Sequence, residues 1–129
     1  IVLIAMMFFV MEIFLTIKKV EKFDLVMTSI LISNTFLFFG IIFGLIMALG
    51  YAGTIDVNIS ALLKSHVFLV IGGYITITLM GLSLVLLPMF GLSHGFSKKP
   101  LEISMILMSI AVAITVISSF IDMIILEYI

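Results

Sequence analysis

No cysteine occurs among the 129 residues. A disulfide framework, a thiolate metal site and a cysteine nucleophile are therefore excluded. Arginine is absent too: the basic residues are six lysines, and the net charge is −1. Nucleic-acid partners need a basic surface, and this chain has none. There is no glycine-rich phosphate loop, no nucleophile with a nearby base, and no His-Glu-x-x-His pair for zinc. Phosphate-binding, hydrolase and protease chemistry can be set aside. Charged residues make up only 10% of the chain, and proline occurs twice, at Pro88 and Pro100.

What is present is apolar surface. Apolar residues account for 64% of the sequence, and the mean hydropathy is +1.51. A soluble domain is about half apolar, so most of this chain must be solvated by lipid. Only helices and closed barrels satisfy their backbone there. The apolar runs are continuous, without the period-2 alternation of a membrane barrel, and a core of ~30 Å takes about 20 helical residues. The expected fold is all-α and polytopic: four transmembrane helices in an antiparallel up-down bundle, at about 1–17, 25–49, 61–88 and 101–126. The chain starts on Ile1 and is apolar from there, so a segment of a larger helical membrane protein is expected. Its partners are the lipid bilayer and other transmembrane helices of the same or a partner chain.

Punctuation marks the helix ends. Asp24 is placed to cap the second helix and Ser60 the third. Pro88 lacks the N–H that would bond Leu84, so the third helix is expected to kink or stop there. Pro100 suits a first helical turn, and Glu102 favours the positive end of the same helix. Gly40-Ile41-Ile42-Phe43-Gly44 puts two bare patches on one face of the second helix, where another helix can come close.

Lysines set the orientation. Lys18, Lys19 and Lys22 lie in the first loop, Lys98 and Lys99 in the third, and Lys64 alone near the second. The lysine-rich loops belong on the cytoplasmic side. The expected location is a bacterial inner membrane, with His66 near the outer end of the third helix.

The polar residues within the apolar runs are few. Glu12, Asn34 and Asp122 are costly in hydrocarbon, and such residues mark ion or proton paths or interhelical hydrogen bonds. His66 is the one histidine inside a membrane run; His94 falls in the third loop, on the order of 35–40 Å away along a regular helix, too far to share a metal. At 100° per residue Gly73 lies within about 20° of His66, with Ile77, Met80 and Leu84 on the same stripe. A histidine above a glycine leaves a flat recess in which a planar cofactor could lie. A close helix contact at Gly72-Gly73, with His66 hydrogen-bonded to a loop, explains the same spacing.

The run Ser65-His66-Val67-Phe68-Leu69-Val70-Ile71-Gly72-Gly73-Tyr74-Ile75-Thr76, followed by Met80-Gly81 and Leu86-Leu87-Pro88-Met89-Phe90, resembles one helix of the haem–copper oxidase subunit I-like superfamily. It looks most like the smaller relatives, among them the nitric-oxide-response membrane proteins. The match covers about 30 residues. It implies a haem-binding protein with a redox or gas-response role, in which His66 is an axial ligand of the haem iron and Gly73 gives the porphyrin room. The relatives often carry a second histidine two or three residues on; Phe68 and Leu69 stand there in this chain. Two other readings stay open: a transporter or ion-path protein using Glu12, Asn34 and Asp122, and a non-catalytic structural or assembly subunit.

Overall fold

The computed structural model describes residues 1–22, 24–91 and 98–128. Among these residues the fold is helical throughout. Helix α1 spans Val2–Lys18 and α2 spans Leu25–Tyr51. The third helix, α3, passes through three consecutive stretches: an α-helical one at Ile59–Val67, a π-helical one at Phe68–Thr76 and an α-helical one at Ile77–Gly91. Helix α4 spans Lys99–Tyr128.

Three of these helices, α2, α3 and α4, are long and apolar enough to cross a membrane. Their outer faces carry large apolar residues in the open, such as Leu79 at 61% and Ile114 at 60% exposure. Water would penalise that surface at roughly 25 cal/mol per Å², whereas lipid does not. These helices are built for a bilayer. The 17 residues of α1 make a shorter rod, about 25 Å at 1.5 Å per residue.

The caps show where local chemistry decides. Asp24 accepts a hydrogen bond from the Met27 backbone N–H at 2.9 Å, as its position predicts. The third helix begins earlier than Ser60. Asn58 caps it instead, its side-chain oxygen accepting from the Ala61 N–H at 3.2 Å. Asn and Ser are both good caps, and the one that starts the helix first wins. Pro88 does not end α3, which continues through it to Gly91. Its missing N–H leaves one helical bond unmade, and the apolar run on either side still favours helix.

The π stretch is legible in one side chain. Hydroxyls elsewhere in these helices donate to a carbonyl three or four residues back, as Ser33 does to Ile30 and Thr35 to Leu31. Thr76 donates to Ile71, five residues back, at 2.8 Å. That is the reach of an i→i+5 helix. Thr78, just beyond, has a buried hydroxyl without a hydrogen-bond partner among the described residues.

Packing follows chain order. Helix α2 lies along α3, and α4 lies mainly against α3. The α2–α3 pair is antiparallel and closely matched. Gly44 meets His66, Gly40 meets Val70, Gly73 meets Phe36 and Gly81 meets Ser29, so each turn down α2 answers a turn up α3. Phe43, Leu62, Leu69 and Val112 form the cluster joining α2, α3 and α4. Helix α1 is different. Among the described residues its backbone comes close to α2 alone. Its contact is a second cluster of Val10, Leu37 and Ile41, against which Tyr74 of α3 also packs.

Candidate functional site

His66 sits two turns into α3, on the face turned to α2. Its half-buried ring lies against Gly44: a Cβ added there would stand 3.1 Å from Cε1 and 3.5 Å from Nδ1. One turn earlier on α2, the Gly40 carbonyl oxygen is 2.7 Å from Nδ1. A carbonyl can only accept, so Nδ1 carries the proton and donates it. The tautomer is thereby fixed. In the neutral ring the lone pair is on Nε2, for which no hydrogen-bond partner is present among the described residues.

Beside the ring lies an apolar recess of about 330 Å³. Val2, Leu3 and Met6 of α1 form one wall, and Leu37, Ile41 and Leu45 of α2 another. His66 and Val70 close it on the α3 side. His66 is the one titratable side chain on its surface.

Gly73 does not share this recess. The space over it is filled by Phe36, whose Cβ and Cγ would both stand 2.6 Å from an added Cβ. Of the stripe read from the sequence, Ile77 and Leu84 are buried, but the π-helical stretch Phe68–Thr76 separates them from His66 and interrupts the 100° period. The glycine of that stripe is a socket for an aromatic ring from α2. The glycine that leaves room beside His66 is Gly44. The spacing of Gly40 and Gly44 in the sequence reads as a helix-contact pair and carries no link to the histidine. The short connection from Tyr51 to Ile59 was the available signal, because it forces α2 and α3 into an antiparallel hairpin with Gly44 opposite His66.

The other polar residues do not converge. Glu12 and Asp122 are exposed, on α1 and α4, whose backbones do not come close among the described residues. Asn34 is buried between α1 and α2, its amide donating to the Val10 carbonyl at 3.3 Å while its own Oδ1 has no partner. It is an interhelical tie. His94 lies outside the described residues.

Does this geometry suit a haem? The recess is at the lower end of the roughly 300–1,000 Å³ common for cofactor pockets, and its walls are apolar. A metal-bound imidazole ordinarily donates its second N–H to a carbonyl or carboxylate, which orients the ring and raises its basicity. The Gly40 carbonyl does this for His66. The described residues thus offer one imidazole beside an apolar recess, enough for one ligand bond to an apolar group. They do not form a self-contained metal cage, for no three His, Asp or Glu side chains come together among them.

Comparison of the chain with protein-family models, curated proteins and solved structures finds no match.

Proposed function

We propose that this chain is an integral membrane protein of four antiparallel spans, related to haem–copper oxidase subunit I, in which His66 is an axial ligand of a haem. One observation carries the reading: the Gly40 carbonyl holds the proton on Nδ1 of a histidine that lines an apolar recess, and among the described residues Nε2 has no hydrogen-bond partner. That leaves Nε2 for a ligand. His66 and the bare surface of Gly44 would hold the group. When bound, it would supply one-electron or gas-binding chemistry at the iron. The chain's own part is to orient the imidazole, exclude water with Leu37, Ile41 and Val70, and keep the proton on Nδ1.

Helix α1 would serve as the first span despite its length. Lys18 and Lys19 at one end can snorkel, and a bilayer thins locally at modest cost. The lysine loops would face the cytoplasm of a bacterial cell, placing His66 toward the outer face.

The test is the visible spectrum of the purified protein in detergent, supplied with haemin, oxidised and reduced, beside His66→Ala. The expected result is a Soret band that shifts on reduction and weakens strongly in the variant. A spectrum indifferent to His66 would overturn the assignment.

A further inference from the structure

We propose that the outward face of α4 is a homo-oligomer interface, on which α4 of a second copy of this chain packs in parallel. The proposal does not depend on His66.

Helix α4 carries two stripes. Met105, Val112 and Ser119, seven residues apart, are at most 2% exposed and face the bundle. On the opposite side stand Ile103, Leu107, Ile110, Ile114, Ile117 and Ile121, each between 49% and 61% exposed. Their spacing alternates four and three residues from one end to the other. That is a heptad seam, with Leu107, Ile114 and Ile121 at a and the other three isoleucines at d.

Lipid accepts any apolar face, so the flanks of the seam carry the argument. Ser104, Ala111 and Ser118 lie at e and Ala113 at g, and all four are exposed. Small flanks let a second backbone come close. The outward face of α3 has none: from Leu63 to Phe90 no exposed residue is smaller than valine. Ser118 adds a polar demand. Ser104, Ser109, Thr115 and Ser119 of α4 each donate to the carbonyl four residues back. Ser118, exposed within the span Lys99–Asp122, has no hydrogen-bond partner among the described residues.

A second copy meets both needs. Two copies that share one membrane topology present α4 in the same direction, and the seam is then its own complement. In a parallel heptad pair, a g residue faces the e residue five positions on in the other helix. This sets the Ser118 hydroxyl of one copy beside Ala113 of the other. The small side chain of Ala113 leaves its carbonyl open, and a carbonyl has a second lone pair to accept with. The area also fits. Six residues roughly half open present on the order of 550 Å² per copy, taking about 1.45 Å² per dalton of extended chain. A standard interface takes roughly 800 Å² per partner, and the flanking residues are still to be added.

The chain has no cysteine, so single cysteines report contacts between copies without background. Each residue from Ile103 to Ile121 is replaced by cysteine in turn, in the full chain in phosphatidylethanolamine–phosphatidylglycerol vesicles at high lipid-to-protein ratio. Oxidation with copper phenanthroline then traps neighbours. The expected result is a disulfide-linked dimer whose yield follows the seam: strong at Leu107, Ile110, Ile114 and Ile117, weak at Met105, Val112 and Ser119, and absent for Leu79→Cys on the outward face of α3. Energy transfer between two labelled populations of the full chain grades the contact. Ala113→Leu should weaken association about tenfold, as overpacking of a close contact does. Ser118→Ala should weaken it about threefold, the size of a mean interhelical hydrogen bond in a membrane. Leu79→Ala should leave it unchanged. A dimer yield that is flat along α4, or equal at Leu79, overturns the proposal, since it reports chance collisions. No dimer at any position overturns it too. The face then belongs to lipid if the cysteines react with a lipid-soluble maleimide, and to a different helix if they do not.

Discussion

The seam between α2 and α3 and the edge formed by α1 are made of the same apolar residue types, yet they are built on different principles. The seam is knitted by absent side chains. Gly40, Gly44, Gly73 and Gly81 each receive a neighbour so closely that an added Cβ would press on it. The α1 edge has no glycine at all and rests on one small cluster and one amide bond. In lipid, apolar surface gives no drive for helices to associate, so closeness must come from packing shape and polar ties. The seam has shape in abundance. The edge has little, and the His66 recess lies where the two meet.

The sharpest way to break this contrast is to fill a notch in the seam. Gly73→Val would drive a side chain into Phe36 and should cost roughly 3 kcal/mol or more, since overpacking of a tight contact costs 1–3 kcal/mol and sometimes exceeds it. Unfolding in mixed micelles titrated with dodecyl sulfate measures it. An effect below 1 kcal/mol would mean that the seam yields and the contrast is false.

Gly44→Ala should act mainly on the site. Its Cβ would stand 3.1 Å from Cε1 of His66, so the ring must give by a few tenths of an ångström, which is expected to weaken its bond to Gly40. The expected loss of stability is about 1 kcal/mol, the scale of one hydrogen bond. Nitrogen-15 spectra of labelled histidine give the more direct readout. In the parent, the neutral ring should be protonated at Nδ1; in the variant, the Nε2–H form should grow. No change in the tautomer ratio would detach Gly44 from the site.

On the edge, smaller numbers are expected. Asn34→Leu removes the tie to Val10 and should cost about 0.6 kcal/mol, the mean for interhelical hydrogen bonds in a membrane. Relief of the unpartnered Oδ1 reduces the loss further, so a cost above 2 kcal/mol would show that α1 is held more firmly than its contacts imply. Phe8→Leu on the exposed face of α1 should stay within about 0.5 kcal/mol of the parent, as surface changes do. A larger loss, measured in the same micelle titration, would place that face against protein.

Much of the fold was legible before any coordinates. The helical class follows from composition, and the Asp24 cap from one carboxylate at a boundary. The burial of Ile77 and Leu84 followed from the helical period, which the π-helical stretch Phe68–Thr76 interrupts before it reaches His66. What remained hidden was pairwise. Periodicity assigns a face to each residue and says nothing of what lies opposite, so Phe36 in the Gly73 notch was invisible. The same limit hid the partnership of His66 with Gly40 and Gly44. The choice of Asn58 over Ser60 was a contest between two competent caps, which local propensity does not decide. The passage of α3 through Pro88 shows that a long apolar run can carry a helix past its strongest local breaker.

Gly40 has a consequence of its own for any genetic survey of this site. Side-chain replacement there would meet Val70 Cγ2, 2.9 Å from an added Cβ, and would score as a packing defect. The atom that fixes the histidine's proton is the Gly40 main-chain oxygen, which every amino acid supplies. No codon change deletes it. If His66 is the ligand proposed above, a mutational scan would record it and miss its partner, which only chemistry on the polypeptide backbone itself could remove.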